Sequence, residues 1–164
     1  DALQPVLERG HKLTCKWPND VLMDGKKLAG ILLESFKHEG KQWVVVGVGV
    51  NIDSAPKDTL YRASCLADAG VELISAKIVL SRFIHHFIET YNTWHNTGFG
   101  VIRKRWQMVA AAMDGEVTAR TVQGEITGKV MGLTRQGSLI IQDAKGKKHT
   151  IFAADIFPSE KAEA

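Results

Sequence analysis

Three short stretches hold the side chains with the most chemical capacity: "KWPND" at 16–20, "KKLAGILLE" at 26–34 and "GVGVN" at 47–51. Lys27 follows an Asp24-Gly25 turn, so its stem can lie along a strand while its ammonium reaches one face. In a partly desolvated cleft an ammonium attracts a phosphate or carboxylate several times more strongly than in water. Lys26, on the other side of the pleat, should face solvent. Asn19 and Asp20 sit at the mouth of the same hairpin. There an amide can read hydrogen-bonding edges, and a carboxylate can hold a metal, accept a proton or orient an amine. The same spacing also fits an Asx turn after Pro18 and a solvated strand lysine. Gly47 and Gly49 alternate on one strand, which leaves a bare strip where a planar ligand can lie against the backbone. Asn51, on the same face, offers an acceptor and a donor to a purine-like edge. Close packing against a neighbouring element is the other reading of these glycines. No helix opens directly after them, so the stretch is not a dinucleotide-binding turn.

Other chemistries find less support. His85 and His86 are adjacent on a helical stretch and point about 100° apart, and no histidine pair has metal-ligand spacing; no metal site is expected in the chain. Ser64 and Ser81 lack a nucleophile-elbow setting, and neither Cys15 nor Cys65 has a CxxC partner or a marked activating neighbour. The 164 residues carry a formal net charge of +3 with the basic residues dispersed, short of the dense basic stripe expected of a nucleic-acid binder. Two cysteines without regular spacing fit a reduced, intracellular chain. There is no apolar run of roughly 18 residues and no signal-peptide pattern, so neither a membrane span nor export is indicated, and cytoplasm is expected.

The elements that must position these residues follow from periodicity. Strands are expected over 12–17, 20–24, 27–35 and 42–52. The last, "QWVVVGVGVNI", is too apolar to be half exposed and is expected to be a buried central strand. Residues 53–72 read as loop with one helical turn near "SCLAD". From Ser75, a good N-cap, Ile78, Leu80, Ile84, Phe87, Ile88, Tyr91 and Trp94 recur at helical spacing and are expected to be core, until Asn96 and Gly98 stop the helix. A second amphipathic helix is expected over 99–113. Beyond it, four or five short strands with glycine turns about every ten residues describe a small barrel. The expected domains are therefore 1–113 and 114–164, with a polar tail, "PSEKAEA", that should fray.

In their order and spacing, "KWPND", "KKLAGILLE" and "GVGVN" resemble the second half of the catalytic domain of the biotin–protein ligases. The resemblance continues more weakly through the loop with "ASCL", the two helices and the small β module, and covers essentially the whole chain. It implies an α+β fold: part of a class II synthetase-like mixed or antiparallel sheet with helices, followed by a small SH3-like β-barrel. The implied activity is formation of biotinyl-5′-adenylate from biotin and ATP with Mg²⁺, then transfer of biotin to a lysine of a biotin carboxyl carrier protein domain. Lys27 matches the family's essential lysine, which contacts biotin's carboxylate and the α-phosphate. Asp20 matches the aspartate thought to help the carrier lysine attack. Asn19 falls in the nucleotide and Mg²⁺ environment, and Asn51 matches the adenine-reading asparagine. Gly30, Leu32, Gly47 and Gly49 match backbone positions lining the biotin and adenylate pocket, with Trp17 and Lys16 as supports of the site. A homodimer is implied as a possible assembly, with no membrane and no nucleic acid as partner.

Two departures from the family pattern matter. The Gly/Arg-rich loop that closes over biotin and the phosphates, and the segment that grips the ureido ring, have no counterpart in these 164 residues. Both are expected before residue 1, so the chain by itself is not expected to activate biotin. The "AADIFPS" end keeps Asp155 but not the family's arginine. Lipoate ligases and octanoyl transferases share the catalytic architecture, but "KWPND" with "GVGVN" favours biotin. A non-catalytic alternative makes 114–164 an interaction module, with Lys129, Arg135, Lys145, Lys147 and Lys148 as a modest basic face for a carrier protein or nucleic acid. Charged turns on a small barrel are more often simply solvated.

Overall fold

The computed structural model describes residues 1–7, 10–57, 59, 61–71, 74–113 and 115–158; Asp114, at the expected domain boundary, and the tail 159–164 lie outside them. The chain forms two compact units, Asp1–Thr14 with Asn19–Ile84, and Cys15–Pro18 with His85–Ala164.

Strands β1 (Leu13–Lys16), β2 (Asp20–Met23), β3 (Lys26–His38) and β4 (Lys41–Val50) form a sheet in the order β1-β2-β3-β4. Both tight turns have positive φ at their two central residues, Asp24 (49°) with Gly25 (78°) and Glu39 (49°) with Gly40 (74°). This is the geometry that follows the right-handed twist of the flanking strands, and it fixes the β2–β3 and β3–β4 registers. The core of the first unit gathers Met23, Leu28, Leu66, Ala69 and Val79, with Leu13, Val50 and Ile52 packed on it.

This arrangement corrects the expectation for 42–52. β4 is an edge strand, and Trp43, Val44 and Val45 are exposed, as are Leu32, Leu33 and Phe36 of β3. The core sits at the Leu28 end of the hairpin, so the long β3–β4 ribbon runs past the side chains that would cover it.

Helix α1 (Ala76–Thr97) starts where expected, with Ser75 Oγ accepting from the Ile78 N–H at 3.3 Å, and stops at Gly98, whose φ is 78°. Its apolar stripe is not core. Ile78, Leu80, Ile84, Phe87, Ile88, Tyr91 and Trp94 are exposed and only Val79 of the helix is buried, because no described element lies over the stripe. Helix α2 (Phe99–Val109) ends four residues before the expected 113. Ala110 instead bridges to Cys15 and Met113 to Val130, and Ala112 takes a left-handed φ of 57°.

In the second unit β5 (Glu116–Thr121), β6 (Gly124–Leu133), β7 (Leu139–Gln142), β8 (Lys148–Ile151) and β9 (Asp155–Pro158) form an antiparallel sheet in the order β8-β7-β6-β5-β9. Alternate residues Val117 and Ala119, then Leu139 and Ile141, turn inward to meet Val130, Ile151, Ile156 and Trp17. Gly128 of β6 is required by packing, because a Cβ there would overlap the Gln142 carbonyl of β7.

Candidate active site

Lys27 owes its direction to an irregularity in β3. Val21 pairs with Ala29 but Leu22 pairs with Lys27, so Leu28 is an extra residue in the ladder. Such a bulge resets the side-chain alternation and re-aims a residue. Here it brings the Lys27 chain over Gly30, where a Cβ would lie 3.3 Å from Lys27 Cε and 3.4 Å from Nζ. Any side chain at 30 would press on the lysine. The ammonium ends 2.6 Å from Asp20 Oδ1. Asp20 is 7% exposed, whereas the Lys27 side chain is 41% exposed. The pair thus has a buried anion and a cation reachable from solvent.

Cross-strand pairing sets Asp20 beside Gly30 and Gly30 beside Gly49, with Leu32 and Gly47 forming the next pair. Bare backbone therefore adjoins the ion pair on two strands. A Cβ at Gly47 would make only ordinary contacts with Leu32, and one at Gly49 would meet nothing within 4 Å among the described residues. Among the described residues no neighbour requires either glycine.

Asn19 is tied down by its backbone and side chain together: Nδ2 donates to the Ile31 carbonyl at 2.7 Å, and the Ile31 N–H donates to the Asn19 carbonyl at 2.9 Å. Asn51 departs from expectation. Its Nδ2 donates both protons to backbone, one to Ser64 O at 2.9 Å and one to Lys27 O at 3.3 Å. With two N–H bonds committed, the amide offers a ligand an acceptor, not the acceptor-and-donor pair.

At the tip of the β2–β3 hairpin Asp24 Oδ1 accepts from the Lys12 N–H at 2.8 Å and Oδ2 meets His11 Nδ1 at 2.7 Å. The Lys12 N–H first, and His11 second, hold the Asp24 carboxyl below its ordinary range. The turn that carries Lys27 is thereby fastened to the segment before β1. Lys26 is exposed, as the pleat requires.

Trp17 and Lys16 stand with the other unit. Trp17 is buried in the core of the β5–β9 sheet, its Nε1 donating to Gly137 O at 3.1 Å, and Lys16 Nζ donates to Ile156 O at 3.4 Å. The "KWPND" motif is thus split: "KWP" is built into the second unit and "ND" into the first. Sequence reasoning also missed residues 62–64. Ala63 forms a parallel bridge with Lys27, the Lys27 N–H donates to Arg62 O at 2.8 Å, and the Ser64 N–H to Lys27 O at 2.9 Å. The one available signal was the small pair Ala63-Ser64, which permits close backbone approach, but no periodicity marks it. Among the described residues no group of three or more His, Cys, Asp or Glu is placed to hold a metal ion. No helix among them is long and apolar enough to cross a membrane.

Comparison with known proteins places this geometry. Residues 2–51 match the Biotin/lipoate A/B protein ligase family and residues 115–157 the Biotin protein ligase C terminal domain. The chain is 34% identical over 163 residues to a biotin–[acetyl-CoA-carboxylase] ligase of Paracoccus denitrificans, covering 96% of this chain and 68% of that protein. It is 32% identical over 152 residues to the bifunctional ligase/repressor BirA of Bacillus subtilis, covering 90% of this chain but 46% of that protein, about half its length. The apo structure of biotin protein ligase from Aquifex aeolicus superposes with a TM-score of 0.81 at 26% identity, covering 96% of this chain and 70% of that one. The same enzyme solved with biotin and ATP gives 0.80 at 26% identity, covering 96% and 66%. On both the sequence and the fold, this chain belongs to the biotin protein ligase family.

Proposed function

We propose that this chain carries the lysine side of a biotin-activating site, acting in the ATP-dependent formation of biotinyl-5′-adenylate and transfer of biotin to a carrier lysine. The observation that carries the reading is the Lys27–Asp20 pair, 2.6 Å long and set beside the bare Gly30–Gly49 step. A carboxylate oxygen of biotin attacks the α-phosphorus of ATP; the new O–P bond forms as the bond to the leaving pyrophosphate breaks. Negative charge grows on oxygens around that phosphorus, and a fixed ammonium beside them stabilises the transition state by about 3 kcal/mol if it equals an oxyanion-hole donor. Lys27, partly exposed and held by Asp20 on its buried side, would supply that charge.

In the second step the carrier lysine's amine attacks the acyl carbon, the C–O bond to AMP breaks, and the amine's proton must leave. Asp20 is the carboxylate in position to take it once Lys27 has turned to the phosphate. The glycine step gives the adenylate a floor without side chains, and the Asn51 oxygen suits a purine's exocyclic amine. Mg²⁺ belongs to the same reading: bound with ATP it would offset the phosphate charge, and Asn19, whose nitrogen is committed to the Ile31 carbonyl, would turn its amide oxygen to that environment.

The carrier partner is a biotin carboxyl carrier protein domain, and the reading places the protein in the cytoplasm. Pairing of two copies along the β4 edge is part of the same proposal, supported by the exposed Trp43, Val44 and Val45 on an open strand edge. Protein prepared to the full length of its reading frame, incubated with biotin, Mg-ATP and a carrier domain, should label one carrier lysine. An unlabelled carrier under conditions where a known ligase labels it would sink the reading.

A further inference from the structure

β4 ends at Val50, opposite Ala29, so the outward backbone groups of Lys27 and Leu28 lie past the last rung of the β3–β4 ladder. Buried or half-buried backbone groups need partners, and each of these has one. The Asn51 N–H donates to Leu28 O at 2.9 Å, the Lys27 N–H to Arg62 O at 2.8 Å and the Ser64 N–H to Lys27 O at 2.9 Å. The Asn51 carboxamide then joins Lys27 O to Ser64 O through the two protons of one nitrogen. A single side chain thus ties together the end of β4, the bulged start of β3 and the 62–64 segment. This is the place from which the Lys27 ammonium is aimed at Asp20.

We propose that Asn51 is the positioning residue of Lys27: its amide nitrogen holds the bulged backbone that directs the ammonium, while its oxygen faces the nucleotide. The inference rests on the ligase reading for its catalytic consequence but not for its structural one. A ligand amine that donates to Asn51 Oδ1 polarises the amide and strengthens the two N–H bonds behind it, so adenine binding and lysine placement reinforce each other. The chemical requirement is a double donor of asparagine's length. Aspartate has the same shape but would set a carboxylate against two carbonyl oxygens.

The test uses Asn51→Asp, with Asn51→Ala as a second variant that removes the donors without adding charge. A retained thermal transition shows that each variant folds. Amide hydrogen exchange should show protection at Lys27 and Ser64 falling at least tenfold, while Leu33 and Val46, paired farther along the ribbon, stay unchanged. In the full reading frame, kcat for adenylate formation should fall at least tenfold, and the same substitution made on Lys27→Ala should cost less than threefold more. Unchanged protection at Lys27 and Ser64 in folded variants overturns the clamp, whatever the activity. Losses that multiply independently with Lys27→Ala, or a rise in KM for ATP with kcat unchanged, overturn the positioning role and leave the ligase reading standing. Absence of any biotin-dependent turnover in the wild-type protein instead sinks the ligase reading, and the exchange data then decide the clamp.

Discussion

The β5–β9 sheet turns Val117, Ala119, Leu139, Ile141 and Ile151 into a common core, whereas the β3–β4 ribbon, also rich in β-branched and aromatic residues, leaves Leu33, Phe36, Trp43, Val44 and Val45 at the surface. Glycine divides the two regions in the same way. Gly128 is demanded by the Gln142 backbone, while a Cβ at Gly49 would meet nothing within 4 Å among the described residues. In the second unit the residue pattern is explained by the protein's own packing. In the first, glycines and an ion pair border a surface that the described residues do not fill, which is where the proposed ligand site lies.

That contrast predicts unequal costs for equal substitutions. Ile141→Ala should destabilise by about 3 kcal/mol or more, from lost transfer energy and a residual cavity. Val45→Ala on the ribbon should stay within about 0.5 kcal/mol. Chemical denaturation of both variants measures the gap, and equal losses would erase the distinction. The glycines sharpen it. Gly128→Ala should cost about 3 kcal/mol by overpacking. Gly49→Ala should leave the melting curve unchanged yet weaken adenylate binding at least tenfold by calorimetry.

Much of this was legible in the sequence. Asp24-Gly25 and the glycine of Glu39-Gly40 announce their turns because positive φ is costly for most other residues. Ser75 and Gly98 mark the limits of α1 through cap chemistry, and the alternation after residue 115 gives the β module. The adjacency of Asp20 and the glycines follows from hairpin register, whereas the direction of Lys27 follows from the bulge. What sequence could not give were facts about neighbours. An apolar run reads as buried whether or not a partner layer is present, so β4 and the α1 stripe were expected inside. The bulge at Leu28 and the bridge from Ala63 to Lys27 are non-local, and no period encodes them. Trp17, two residues before Asn19, packs in a different unit because a single large apolar side chain joins whichever core its backbone reaches.

The smallest predicted effect compares two capped turns. Asp143 Oδ1 accepts from the Lys145 and Lys147 N–H groups, both at 2.9 Å, and its Oδ2 lies 2.8 Å from His149 Nε2. The His149 bond first, then the backbone donors, hold the Asp143 carboxyl below its ordinary pKa, just as Lys12 and His11 do for Asp24. A depressed carboxyl contributes stability above its unfolded value and loses it as pH falls through the folded value. Protection of the Lys12, Lys145 and Lys147 amides, taken relative to their intrinsic exchange rates at each pH, should therefore be lost only below the ordinary carboxylate range. Loss of that protection near neutral pH would contradict the assignment to these carboxylates.

The central claim is that Lys27, aimed by its bulge and held by Asp20, supplies the charge for biotin activation. Biotin-dependent exchange of labelled pyrophosphate into ATP, compared between the wild-type full-length reading frame and its Lys27→Ala variant, tests it most directly. A loss of about a hundredfold or more in the variant, with folding intact, is the expected result. Equal exchange rates in the two proteins would contradict the account.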